Sequence, residues 1–164
     1  MPNDRYPTSF RATWSLVFAA GMGICQWAQA DDGPRAAQVP LLLSYKTECA
    51  ACHAAFPPGM LPAASWQRIV NNLPRHYGTD ASLDPAAVKE LSTWLASNAG
   101  TYKRVREEPP QDRITRSAWF IRKHGEVPAA TWKLPAVKSA ANCAACHTQA
   151  EQGDFNERSV RIPR

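Results

Sequence analysis

The sequence lacks cysteine pairs for structural disulfide bonds, although it contains five cysteines. Cys25 lies in an apolar N-terminal run, and the other four cysteines form two copies of one string, Cys-Ala-Ala-Cys-His, at residues 49–53 and 143–147. Exported proteins ordinarily use their cysteines as structural bridges. Here no pair remains for that purpose, which excludes a disulfide framework.

The sequence also lacks an apolar run long enough to cross a bilayer comfortably. The run at residues 14–25 follows the basic residues Arg5 and Arg11, and small residues at 28–30 come before the next acidic residue. This arrangement is typical of a secretory signal peptide, residues 1–30, cleaved after Ala30. An uncleaved N-terminal anchor is the alternative. We expect export to the periplasm, with no stable membrane insertion after cleavage.

The two Cys-Ala-Ala-Cys-His strings predict covalent attachment sites for c-type haem. The two thiols of such a string can add to the two vinyl groups of a haem, and the histidine that follows is placed to bind the iron. One string in a long chain would be weak evidence, whereas two in 164 residues are strong. We expect two covalently bound haem c groups. The attachment residues are Cys49, Cys52, Cys143 and Cys146, and the iron ligands within the strings are His53 and His147.

Histidine is scarce as well, with four in the whole chain. Two six-coordinate irons need two further ligands, and His76 and His124 are the remaining histidines. His76 follows His53 by the same sequence separation as that by which His124 precedes His147. We expect His76 to serve the first haem and His124 the second, with a crossed arrangement or a solvent-exposed turn histidine as alternatives. No histidine is then left for catalysis.

Methionine, the rival sixth ligand, is scarcer still. Met60 is the only methionine after the predicted leader. It lies shortly after His53, behind two prolines, which is awkwardly close for reaching the opposite face of the haem. A packing role is favoured for it. The composition therefore favours two histidines at each iron, with low-spin, fairly low-potential haems and no open coordination site.

The excess of positive charge does not indicate a nucleic-acid partner. The formal net charge is +5, and removal of Arg5, Arg11 and Asp4 with the leader lowers it to +4. Two haems would add about four propionate groups, which cancel most of that charge. We therefore expect no nucleic-acid binding. The part of the chain that follows Ala30 is long enough for one domain.

No segment shows the alternation typical of a strand, so the fold class is predicted as mostly α. Predicted helices begin near Pro40, at Leu61-Pro62 and at Asp84-Pro85, the last with its stop at Gly100. A fourth runs from about Arg113 to Lys123 with Ile121 on its apolar side, and a short fifth, Val137 to Cys146, carries the second motif. Pro74 ends the second helix, and the tail from Gly153 is predicted to be irregular.

This organisation predicts a thin core. Residues 31–100 would form a first haem-binding half, and residues 101–164 a linker and a second haem-binding half of one compact domain. Short helices and 14 prolines leave little apolar surface to bury, and two haems would supply much of what is missing. We therefore expect the haem-free chain to be poorly folded.

The strings around the motifs resemble those of the small periplasmic dihaem cytochromes c, the DHC family. The resemblance covers nearly the whole mature chain. It is carried by Phe56-Pro57-Pro58, Leu61-Pro62-Ala63-Ala64-Ser65-Trp66, His76-Tyr77-Gly78, Arg113-Ile114-Thr115, Asn142 to His147, and Gly153-Asp154-Phe155. It implies an N-terminal half similar to monohaem cytochromes c and an irregular C-terminal half around the second haem. It also implies bis-histidine ligation and redox-protein partners, with a membrane b-type cytochrome or a small oxygen-binding monohaem cytochrome as candidates.

The leading hypothesis is an electron-transfer protein that is not an enzyme. The first alternative is a dihaem enzyme or gas-binding sensor, which needs an iron with a displaceable ligand and, for catalysis, nearby acid–base groups. The second is a zinc or redox-dithiol protein built on the paired cysteines. The long gap between the cysteine pairs, the histidine after each pair and the export signal count against the second alternative.

Overall fold

The computed structural model describes residues 39–103 and 105–164. The predicted signal peptide and Cys25 lie outside the described residues. Four α-helices are present in them: α1 (Leu43–Cys49), α2 (Ala63–Val70), α3 (Pro85–Ser97) and α4 (Ala118–Lys123). Short 3₁₀ helices connect them at Pro58–Met60, Leu73–Arg75, Pro110–Asp112, Ile114–Arg116, Thr131–Lys133, Cys143–Ala145, Ala150–Gln152 and Glu157–Ser159.

Extended pairing in this part of the chain is limited to two isolated bridges, His76–Thr79 and His147–Val160. The mostly helical fold expected from the sequence is therefore confirmed. None of the helices among the described residues has the length and apolar character needed to cross a bilayer.

Helix α3 forms for local reasons that the sequence shows. The Asp84 carboxylate accepts hydrogen bonds from the backbone N–H groups of Ala86 and Ala87 at 2.9 and 3.0 Å, which caps the first turn. Leu91 and Leu95, one helical turn apart, are both buried. Helix α3 packs mainly on α2, and the apolar faces of these two helices form one wall of the core.

The core lies among α1, α2, α3 and the turn between the first two helices. Its buried side chains are Tyr45, Ala55, Leu61, Trp66, Val70, Leu91 and Leu95. Two polar atoms within it are satisfied by backbone carbonyls. The Tyr45 hydroxyl donates to Phe56 O at 2.9 Å, and Trp66 Nε1 donates to Pro58 O at 2.7 Å. These bonds tie the turn that follows the first motif to the helices.

The predicted ends of the first three helices differ from those in the structure by a few residues. Helix α1 begins at Leu43 and not near Pro40. Helix α2 ends at Val70, and Pro74 lies inside the 3₁₀ helix Leu73–Arg75, since proline is tolerated in the first turn of a helix. Helix α3 ends at Ser97, before it reaches Gly100.

The predicted fourth and fifth helices differ more from the structure than the first three do. Ser117 is extended (φ −67°, ψ 145°), and its hydroxyl accepts from Phe120 N at 3.2 Å, so α4 begins only after it. Phe120 is the buried residue of α4, whereas Ile121 is 61% exposed. Lys138 has φ +65°, outside the right-handed helical region, so no helix runs from Val137. The second motif lies on the 3₁₀ turn Cys143–Ala145.

Gly100 has a structural role other than the helix stop predicted for it. It is buried, and its N–H donates to Leu61 O at 2.9 Å. A Cβ at this position would lie 2.5 Å from the Gly59 carbonyl oxygen and 2.5 Å from Val105 Cγ1. The absence of a side chain therefore allows the chain after α3 to pass against the turn before α2.

Gly100→Ala is expected to lower the free energy of unfolding by about 1–3 kcal/mol, because the backbone atoms it meets cannot move aside cheaply. Gly59→Ala is the matched control, since a Cβ there meets nothing within 4 Å. Denaturant titration of both holo-proteins measures the difference. Equal stability of the two variants would contradict the close-approach interpretation.

Candidate functional site

The first Cys-Ala-Ala-Cys-His string lies at the C-terminal end of α1, against a cavity of about 520 Å³. Cys49 is the last residue of α1, and Cys52 and His53 follow in the turn after it. These three residues line the cavity, and so does His76, from the turn after Leu73–Arg75. A cavity of this size accommodates an organic cofactor.

His53 and His76 face each other across this cavity. Their ring centroids are 6.2 Å apart, and the ring planes differ by 21°. His53 Nδ1 donates to Ala54 O at 2.7 Å, and the ring stacks on Phe56 with centroids 4.8 Å apart. A bond from Nδ1 to a carbonyl fixes the tautomer and leaves Nε2 free as a metal ligand.

The second string lies on the 3₁₀ turn Cys143–Ala145, and its histidine faces His124. The ring centroids of His124 and His147 are also 6.2 Å apart, although the planes are inclined by 65°. His124 follows α4 directly, and its Nδ1 donates to Phe120 O at 3.0 Å. Phe120 stacks on His124 at 3.9 Å, and the Trp132 ring lies 6.0 Å away.

The C-terminal tail, which was predicted only to be irregular, holds the second string in place. Arg161 N donates to Cys146 O at 2.8 Å, and the Thr148 hydroxyl donates to Ser159 O at 2.8 Å. The Phe155 ring lies 5.4 Å from that of His147. Asp154 and Asn156 are the residues from which an ordered tail could have been predicted. The Asp154 side chain accepts from Asn156 N at 2.8 Å, and the Asn156 side chain accepts from Arg158 N at 2.9 Å. Such residues favour ordered turns.

The spacing of both histidine pairs matches that of two imidazoles on one metal ion. Two metal–nitrogen bonds of about 2.0 Å, with half a ring on each side, separate the centroids by about 6 Å. Both pairs in the structure are 6.2 Å apart. The four histidines predicted as site residues therefore form two pairs, each containing the histidine of one string and each with the ring spacing of two imidazoles on one metal ion.

Burial lowers the pKa of two of these imidazoles, which favours the neutral form that metal ligation demands. The pKa of His76 is lowered first by burial, then by His53 and by the guanidinium of Arg113. The pKa of His147 is lowered by burial and by His124, against the opposing effect of Asp154 and Glu157. Neutral imidazole is the form that offers a lone pair to iron.

The first thiol of each string, Cys49 or Cys143, has the opposite character to a reactive thiol. Burial raises the pKa of Cys49 to about 11, with a further contribution from the charge of Glu48, and burial raises the pKa of Cys143 to about 11. Redox-active cysteine pairs work through lowered pKa values. This environment disfavours the dithiol alternative and suits thiols held close to a hydrophobic partner.

The two sites share a wall. Cys143 of the second string and Ala141 just before that string line the same cavity as His53 and His76. Met60, the rival ligand, is half-buried in the 3₁₀ turn Pro58–Met60 and is absent from the described lining of this cavity. Residues of both motifs thus line one cavity, and the methionine is not among the lining residues described.

Each Cys-x-x-Cys-His string has a second imidazole at the distance expected for two ligands of one metal ion. These two sites define a c-type cytochrome with two haems. The sequence matches the dihaem cytochrome c family over residues 45–155, and the chain belongs to that family. It is therefore a haem-binding electron-transfer protein with two covalently bound haem c groups.

Solved structures of similar proteins agree. The diheme cytochrome c from Shewanella baltica OS155 is 38% identical, covers 76% of this chain and 95% of its own, and has a TM-score of 0.66. Two structures from Rhodobacter sphaeroides are 41% and 42% identical. They cover 73% and 68% of this chain and 100% and 95% of their own, with TM-scores of 0.64 and 0.59. No match was found among curated proteins.

The haem-free chain is expected to lose cooperative folding, because the cavity walls are also the core. Leu61, Trp66, Leu91 and Leu95 belong both to the core and to the cavity lining. The test is a variant with all four motif cysteines changed to alanine, followed by circular dichroism on heating. A sigmoidal transition with near-native helix content would contradict this expectation.

Proposed function

We propose that the protein is a periplasmic electron carrier in which His53 and His76 bind the first haem iron and His147 and His124 bind the second. Cys49 and Cys52, and Cys143 and Cys146, would form the thioether bonds. The observation that carries this proposal is the pair of imidazole–imidazole separations, each 6.2 Å and each beside its own motif.

A haem iron with two histidine ligands exchanges one electron without gaining or losing a ligand. The contribution of this chain is to hold both imidazoles at fixed distance and orientation. The bonds from His53 Nδ1 to Ala54 O and from His124 Nδ1 to Phe120 O set one ring in each pair. The aromatic rings of Phe56 and Phe120 stack on these same histidines, which limits both ring rotation and access of water.

The shared wall between the two sites supports a relay. Cys143 contributes to the cavity that His53 and His76 line, so the second attachment site adjoins the first. Cys52 is exposed, whereas Cys49, Cys143 and Cys146 are partly covered. We infer that electrons are exchanged with partners at the Cys52 side of the first site and pass between the sites at the Cys143 side.

The partners proposed are redox proteins, including a membrane b-type cytochrome or a small monohaem cytochrome. Helix α4, which leads into His124, presents Ile121 and Arg122 to solvent. An exposed apolar side chain next to a cation is a feature of transient docking surfaces. Neither a nucleic acid nor a membrane is proposed as a stable partner.

His76→Ala and His124→Ala are each expected to convert one haem of two to a high-spin form that binds carbon monoxide when reduced. Met60→Leu is the control and is expected to leave the spectrum low-spin, because Met60 lies outside the described lining of the cavity. Absorption and electron paramagnetic resonance spectra of the ferric proteins measure the change. A Met60→Leu variant that becomes high-spin would overturn the axial assignment, and high-spin haem in the unaltered protein would favour an enzyme or sensor.

Export makes a separate prediction. Protein expressed with a cytochrome c maturation apparatus is expected to begin at Asp31 and to carry the mass of two haems. Intact-mass spectrometry of the periplasmic fraction measures both properties. A retained leader in membrane fractions would indicate the anchored alternative.

A further inference from the structure

The turn that carries His76 has little regular structure of its own. It follows the short 3₁₀ helix Leu73–Arg75, and its backbone hydrogen bonds are few: Thr79 N donates to His76 O at 3.0 Å, and Ala81 N donates to Leu73 O at 3.0 Å. Tyr77 and Gly78 both have positive φ, +52° and +100°. Positive φ is unfavourable for a tyrosine and persists only where the surroundings enforce it. Contacts from outside the turn therefore add to its own backbone bonds in holding this conformation.

The segment that covers this turn comes from residues 108–113, well beyond it in the chain. The Tyr77 hydroxyl donates to the carbonyl oxygens of Gln111 and Asp112 at 3.2 and 3.1 Å. The Arg113 guanidinium lies over the Tyr77 ring, 4.2 Å from its centroid. A cation placed in this way attracts the ring face. Tyr77 is thus held both at its hydroxyl and at its ring.

The same segment is fastened to α2 by Arg68. Its Nε and Nη2 donate to the two Asp112 carboxylate oxygens at 2.9 and 2.6 Å, and Nη2 also donates to Glu108 at 2.6 Å. This bidentate geometry is the strong form of an arginine–carboxylate contact. The Asp112 side chain is only 16% exposed. The Arg68 guanidinium holds the pKa of Asp112 below its usual range.

Backbone geometry shows that the segment is shaped for these contacts. Gln111 and Asp112 have φ +59° and +55°, the left-handed region that costs energy for residues other than glycine. This conformation directs both carbonyls to the Tyr77 hydroxyl while the Asp112 carboxylate meets Arg68. Helix α2 and the His76 turn are therefore joined through one intermediate segment.

We propose that Arg68, Asp112 and Tyr77 are positioning residues that keep His76 on the iron of the first haem. They form a clamp from α2 through residues 108–113 to the residue next to the ligand. This inference rests on the proposed role of His76 as an axial ligand. The second site holds His124 in another way, by α4 and by stacking on Phe120, so loss of the clamp is expected to affect only the first haem.

The test uses the holo-protein with Arg68→Gln and Tyr77→Phe, and it measures carbon monoxide association with the reduced protein by stopped flow. Loss of the charged bidentate contact is expected to speed association about tenfold at one haem per chain. Loss of the tyrosine hydroxyl alone is expected to speed it about threefold. Arg106→Gln is the control. It also removes one positive charge, but from an exposed residue just before the segment 108–113.

His76→Ala is measured beside these variants. It distinguishes a failure of the axial assignment of His76 from a failure of the clamp. If His76→Ala does not open a haem, the axial assignment itself is wrong. If it does, and Arg68→Gln and Tyr77→Phe still match Arg106→Gln, the clamp is wrong. A double variant, Arg68→Gln with Asp112→Asn, is expected to show no more than the single change. Additive rates, or carbon monoxide binding at both haems, would indicate general loosening of the fold and overturn the proposal.

Discussion

Two imidazole rings with centroids 6.2 Å apart, once at each haem-binding motif, are the constraint on which the rest of the structure depends. One ring of each pair comes from the motif, and the other comes from a turn that is remote from it in the chain. Closing such a loop costs conformational entropy that the ring contact alone does not repay. The surrounding segments must therefore hold each remote histidine, and most of the distinctive contacts in this chain do so.

The two sites meet this demand by different means. At the first, α1, α2 and α3 build a buried core that is continuous with the cavity, and the remote His76 is fastened from outside by residues 108–113. At the second, the regular structure of the described residues after α4 is limited to short 3₁₀ helices. There, aromatic stacking on His124 and backbone bonds from the tail to Cys146 and Thr148 replace helix packing. A short chain with many prolines buries little surface by itself, so both solutions rely on the cofactor as part of the interior.

Local signals were reliable where they act within one or two turns of chain. Asp84-Pro85 predicted the start of α3, where the Asp84 side chain caps the first turn. Two other local features were missed: Ser117 is an N-cap that makes α4 begin later than expected, and Lys138 has a positive φ that interrupts the helix expected from Val137. Ile121 had the periodicity of a core residue, but the short helix α4 buries Phe120 in its place. The role of Gly100 as a close-approach site depends on Gly59 and Val105, neither of which belongs to the pattern of α3.

The sequence by itself determined the chemistry of the cofactor, because covalent attachment of haem depends on residue identities within one short string and on little else. It also limited the possible ligands, since a chain with four histidines offers few choices. Only the tertiary structure decided which histidine lies opposite which, that the ring planes differ by 21° in one pair and 65° in the other, and that the two sites share a wall. These properties arise where distant segments meet, and their meeting is governed by packing, by ion pairs such as Arg68 with Asp112, and by strained turns that no local pattern encodes.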